Sequence, residues 1–130
     1  MVFKIKTVKD LRLEEIEQYR KSYKEREKQK KMKIRQRYKE AWETSRAAAE
    51  ILYKKYEAKK VVIFGSLGNE EFFNEWSDID IGVWGIVPEL YYKAIAEIIS
   101  LSPIFKIDIV DPDDCSESLK KLIEKEGIAI

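Results

Sequence analysis

Asp78 and Asp80 stand two apart in a run that is otherwise apolar, with Ile79, Ile81 and Val83 between and beyond them. On a strand, positions i and i+2 share a face and lie roughly 6.5–7 Å apart. One face would carry two carboxylates and the other three aliphatic side chains. Neighbouring carboxylates each disfavour ionisation of the other. A divalent cation removes that penalty. Hard oxygen donors in this arrangement suit Mg²⁺, which keeps some waters and completes its shell from substrate phosphates. Upstream, Val61, Val62, Ile63 and Phe64 form a short β-branched run that predicts a buried strand. Gly65 ends it and permits a sharp turn or a close approach. Ser66 adds a hydroxyl that can bond a phosphate oxygen or a metal-bound water. The competing assignment of the two aspartates is a solvated strand face or a structural Ca²⁺ site.

Phe64-Gly65-Ser66, residues 67–77, then Asp78-Ile79-Asp80 resembles the nucleotidyltransferase signature of the DNA polymerase beta superfamily. Glu75 to Gly85, with the short length, makes the chain most similar to a minimal nucleotidyltransferase, the class usually paired with a HEPN-domain protein. The resemblance covers residues 60–130. It implies an α/β (α+β) fold, a small mixed sheet flanked by helices. It implies a helix opening just after Gly65-Ser66, whose free N–H groups would face a triphosphate. It also gives a role to Asp108, a lone charge in the apolar stretch Ile104–Val110, which by itself reads equally well as an edge-strand residue facing water. In the family a third carboxylate stands on a strand beside the pair. Asp78, Asp80 and Asp108 would then be both catalytic and metal-binding. They would hold Mg²⁺ or Mn²⁺, with ATP as substrate and Gly65 and Ser66 binding the nucleotide. The family often has a small residue, a basic residue and a glycine soon after Gly-Ser. Here Gly68-Asn69-Glu70 stands instead, so triphosphate affinity is expected to be weak and metal-dependent.

The elements that must position these residues follow from periodicity and caps. Residues 1–6 alternate weakly and suggest a short edge strand. Thr7 or Asp10 can cap a helix starting near Leu11. Residues 24–33 are almost purely charged, fitting a solvated helix face or a bend. An apolar stripe then runs from Ile34 through Tyr38, Ala41, Ser45, Ala48 and Leu52 to Tyr56 and predicts a long amphipathic helix. Phe72, Phe73 and Trp76 are expected as core anchors. Pro88 suits the first turn of a further helix. Residues 104–110 predict a strand, Asp111 to Asp114 a turn, and Asp114 with Glu117 a capping pair for a last helix. Gly127 is expected to end that helix as its C′ residue. The apolar tail Ile128-Ala129-Ile130 suits either the sheet or a partner. The domain division expected is 1–58, a helical extension, and 59–130, the minimal nucleotidyltransferase domain.

Charge separates the two halves. Residues 1–60 hold 20 Lys/Arg against 10 Asp/Glu, and residues 61–130 hold 5 against 14. An acidic half fits cation binding, and a basic half fits an anionic partner surface. With no histidine and one cysteine, Cys115, the chain has no His-based zinc site, no Ser-His triad and no internal disulfide. No membrane-length apolar segment or signal-peptide core is visible, so a cytoplasmic protein is expected. No groove-reading motif accompanies the basic residues, which argues against a nucleic-acid partner. The leading expectation is an adenylyltransferase that moves AMP from ATP to a tyrosine of a HEPN ribonuclease toxin. It would act as that toxin's antitoxin in a hetero-oligomer. The residues also suit a non-catalytic module that neutralises its partner by contact, or transfer to a small molecule such as an antibiotic.

Overall fold

A computed structural model describes residues 7–130; the edge strand expected over residues 1–6 lies outside the described residues. Three helices and a four-stranded mixed sheet follow in the order α1 (Val8–Tyr56), β1 (Lys60–Phe64), β2 (Ile79–Trp84), α2 (Pro88–Ile99), β3 (Ile107–Val110), α3 (Glu117–Glu126) and β4 (Ile128–Ala129). This is the mixed α/β architecture that the sequence implied.

The chain forms two compact units, Met1–Arg35 and Gln36–Ile130. In the first, Thr7 and Asp10 act together rather than as alternatives. Asp10 N–H donates to Thr7 Oγ1 at 3.3 Å and Thr7 N–H donates to Asp10 Oδ2 at 3.2 Å, a reciprocal cap. The charged run is helical throughout, not bent. Leu11, Ile16, Tyr19 and Tyr23 are exposed.

In the second unit the helical residues from Gln36 onward pack with the sheet. Residues 36–58, counted in the sequence with the extension, share its core: Ala41, Ser45, Ala48, Ala49, Leu52 and Tyr56 are buried. Small side chains at this spacing allow close helix packing. The helix ends where Glu57 takes a left-handed φ of 53° and Ala58 N–H reaches back to Leu52 O at 3.0 Å. Tyr53 then ties the reversal down. Its hydroxyl accepts from Val61 N–H at 2.8 Å and donates to Ile130 O at 2.7 Å.

The sheet order is β3-β2-β1-β4, with β2 parallel to β3 and the other pairs antiparallel. Alternation sorts its faces. Val61, Ile63, Ile79, Ile81, Val83 and Ile107 are buried on one. The other carries Val62 and Phe64, packed with Ile123 of α3 and with Trp84, Val110 and Leu119. At about 25 cal/mol per Å², burying each of these large side chains contributes roughly 1.5–3 kcal/mol. The tail is an edge strand, since β4 pairs with β1 at Val62 and Ile63. Gly127 does cap α3, but with a φ of −69° it needs no left-handed backbone. It is there for space: a Cβ would lie 2.2 Å from Val62 Cγ1. The cap at the start of α3 is Ser116, whose hydroxyl accepts from Leu119 N–H at 3.3 Å. Asp114 belongs instead to the 3-10 turn Pro112–Asp114, so the Asp114–Glu117 pair does not form the cap. β3 begins at Ile107, three residues later than the apolar run suggested, because Ser102 Oγ accepts from Ile104 and Phe105 N–H and bends the chain there.

Candidate active site

β1 delivers Gly65 against Asp80. Phe64 pairs with Asp80 across the antiparallel ladder, and Gly65 follows with a φ of +73°. A Cβ on Gly65 would lie 2.4 Å from Asp80 Oδ2. Two independent constraints, backbone conformation and room for a carboxylate, therefore select glycine. Ser66 is half-buried in the 3-10 turn Gly65–Gly68. The α-helix expected after Gly65-Ser66 is absent: a second 3-10 turn, Glu70–Phe72, follows instead. Asn69 interrupts the helix with an extended backbone, φ −142° and ψ 112°, and its side chain accepts from Glu71 N–H at 3.1 Å. Asx residues favour such local bonds over helix continuation. The residue that departs from the family's basic position thus has a capping role here.

The carboxylates come from β2 and β3. Parallel pairing sets Asp80 beside Asp108, and Asp78 sits one residue before β2. Asp80 is half-buried, and burial, then the charges of Asp108 and Asp78, push its carboxyl above the ordinary range; Lys106 partly opposes this. The Asp108 side chain is 45% exposed, with Oδ1 3.9 Å from Lys106 Nζ. The structure thus brings Gly65 against Asp80, and puts Asp108 and Asp78 within electrostatic reach of Asp80. Among the described residues no three acidic side chains converge closely enough to hold a metal ion. What the structure does set is the backbone: Asp80 and Asp108 are paired strand positions, with Asp78 two residues before Asp80. In donor chemistry the set fits a hard divalent cation: oxygen ligands only, on neighbouring strand positions.

Asp78 is held by a tied loop. Asn74 N–H donates to Ser77 Oγ at 2.9 Å, Ser77 N–H returns to Asn74 O at 3.2 Å, and Trp76 N–H donates to Asn74 Oδ1 at 2.8 Å. Arg37 donates from Nη2 to Ser77 O at 3.0 Å, with its guanidinium 4.5 Å from the centroid of Phe105. Its Nε is buried without a hydrogen-bond partner. Of the three aromatics expected in the core, only Phe73 is buried, edge-on to Tyr38 at 5.3 Å. Phe72 and Trp76 are 68% and 78% exposed. The Asn74 turn that fixes the backbone turns Trp76 outward.

Two residues of this region were not singled out from sequence. Lys106 had a signal: it stands two before Asp108 and so shares its face if the strand begins early enough. Arg37 had none, being one cation among many on a charged helix.

The polymerase beta nucleotidyltransferase family model matches residues 46–130, more than half of the chain. No curated protein matches.

Proposed function

The chain belongs to the polymerase beta nucleotidyltransferase family, and we propose that it transfers a nucleoside monophosphate, AMP from ATP, onto a hydroxyl acceptor. The observation that carries this reading is the pairing of Asp80 with Asp108 beside Gly65, with Asp78 two residues from Asp80. Asp78, Asp80 and Asp108 would hold Mg²⁺ or Mn²⁺. When bound, such ions neutralise phosphate charge and acidify an attacking hydroxyl. Gly65 leaves the space in which the Asp80 carboxylate sits. Ser66 donates its hydroxyl hydrogen bond to a phosphate oxygen. Asp108, whose side chain is partly open to solvent, accepts the acceptor's proton. The acceptor oxygen bonds to the α-phosphorus, the bridging P–O bond to the β-phosphate breaks, and pyrophosphate leaves with that electron pair. Positioning and charge neutralisation account for most of the acceleration.

The proposed acceptor is a tyrosine of a HEPN-domain toxin, with this chain as antitoxin in a cytoplasmic hetero-oligomer. Support comes from the likeness to minimal nucleotidyltransferases in residues 75–85. It comes too from the unit Met1–Arg35, which presents exposed Ile16, Tyr19 and Tyr23 among an excess of basic residues. Such a surface suits a partner with an acidic rim. Among the described residues no helix is long and apolar enough to cross a membrane.

The test is incubation with Mg²⁺ and labelled ATP, GTP, CTP or UTP, with and without a HEPN-domain protein. Label on the partner that disappears with Asp80→Asn supports the reading. Tight partner binding without transfer would favour neutralisation by contact, which the exposed Glu70 and Glu71 in the segment after Ser66 would suit.

A further inference from the structure

The loop after Ser66 carries Asn69, Glu70 and Glu71 and no base, yet a site for a triphosphate needs positive charge from the protein. Lys106 is placed to supply it. It immediately precedes β3, and its carbonyl accepts from Ile79 N–H at 3.0 Å, which fixes its backbone against the start of β2. The parallel register pairs Ile79 with Ile107 and Asp80 with Asp108. Extended back by one residue, it sets Lys106 beside Asp78. Alternation puts Lys106 on the same face as Asp108, since Ile107 between them is buried. One lysine therefore stands in a four-cornered group with three carboxylates.

Its side chain is not committed there. Lys106 Nζ lies 3.9 Å from Asp108 Oδ1, the outer limit of an ion pair, and the lysine side chain is 71% exposed. Such pairs are weak and readily exchanged. Arg37, by contrast, is fixed by Ser77 O and by the face of Phe105. Lys106 can swing about a fixed backbone.

We propose that Lys106 is a phosphate-binding residue: it pairs with Asp108 in the free protein and turns to the nucleotide's phosphates once a divalent cation occupies the carboxylates. The proposal rests on the nucleotidyltransferase reading. It assigns to the residue just before β3 the positive charge that the Gly65–Phe72 segment lacks.

The charge then has opposite effects on two ligands. It competes with a cation for the carboxylates, and it attracts a polyphosphate. Lys106→Met, in the full chain, keeps an unbranched side chain one atom shorter and removes its charge. Mn²⁺ binding without nucleotide, followed by the free-ion resonance signal, should tighten roughly two- to fivefold. Binding of ATP and of tripolyphosphate at saturating Mg²⁺ should weaken by about tenfold, the size of one lost charge-assisted hydrogen bond. Lys106→Arg should restore most of that loss, and unchanged melting of both variants excludes misfolding. Unchanged or tighter polyphosphate binding in Lys106→Met would overturn the proposal, leaving Lys106 as a partner of Asp108 alone. Parallel losses for Mn²⁺ and polyphosphate would overturn it too, since a structural role gives one sign. A parent chain that binds Mn²⁺ but no nucleotide would sink the nucleotidyltransferase reading, and this inference with it.

Discussion

The sheet face that carries Asp80 is closed at one end and open at the other. At the closed end, Gly82 approaches Ile123 and Pro112, and Trp84, Val110 and Leu119 pack around Val62 and Phe64. At the open end, Asp80 and Asp108 occupy the same alternating positions of the same two strands. Phe64 is the cross-strand neighbour of Asp80, while Gly65 stands against the Asp80 carboxylate and Lys106 faces Asp108. Pleat and register are common to both ends. What differs is cover: α3 reaches one end, and β1 gives way to Gly65 at the other. A strand face becomes core where a helix lies on it. It becomes a site where polar groups are half-desolvated and left facing one another, as the raised carboxyl of Asp80 shows.

Single changes at the two ends should fail in different ways. The largest effect is expected at the open end. Asp80→Asn should lower label transfer by at least about a hundredfold. Its melting temperature without metal should be no lower than the parent's, because a half-buried charge beside Asp108 and Asp78 is gone. A fall in both together would mean that Asp80 belongs to the core. Ile123→Ala at the closed end should do the reverse. It should cost about 2–5 kcal/mol in denaturant unfolding and leave nucleotide affinity of the folded fraction unchanged.

The glycines give a closer comparison. Gly65→Ala combines a left-handed φ with a Cβ 2.4 Å from Asp80 Oδ2. It should cost about 2 kcal/mol and displace the carboxylate, so metal response should fall as well. Gly82→Ala meets Ile123 Cγ2 and Pro112 Cγ at 3.4 Å with ordinary backbone. It should cost below about 1.5 kcal/mol and spare the metal response. Equal losses of metal response in the two would erase the distinction between the ends.

A smaller effect concerns pH. The folded state holds the Asp80 proton more tightly than the unfolded chain does, chiefly through burial. Its contribution to stability is therefore gained as pH falls through the raised folded pKa. It is lost again as pH rises from the unfolded value through that pKa. Without metal, the parent should lose stability relative to Asp80→Asn as pH rises through this window. Metal affinity should move the other way, weakening at low pH as protons compete for Asp80. Urea unfolding of both chains across that window checks the first. Identical pH profiles would remove Asp80 as their cause.

The sequence told these ends apart only in part. Period-two alternation fixed which face Asp80, Ile79 and Ile81 would take, since burial leaves no freedom to slip by one. Gly65 was legible as a place of close approach, but not what approaches it. The pairing of Asp80 with Asp108, and so the company of Lys106, depends on a parallel crossover through α2. No local pattern encodes that register. Phe72 and Trp76 were misread because an aromatic cluster records composition and not direction. The Asn74–Ser77 turn decides which ring faces inward. The cap of α3 fell to Ser116 rather than Asp114 because several good capping residues stand in a row, and the Pro112 turn takes the first of them.

The proposed chemistry depends above all on a divalent cation held by Asp78 and Asp80. The measurement is thermal unfolding of the parent and of the Asp78→Asn, Asp80→Asn double variant as Mg²⁺ or Mn²⁺ is titrated. A cation that binds only the folded state adds about 2.7 kcal/mol at a hundredfold excess over its Kd, so the parent should melt progressively higher. The double variant should start at least as high without metal and not respond. Equal stabilisation of both chains would place the cation elsewhere and contradict the assignment of these aspartates.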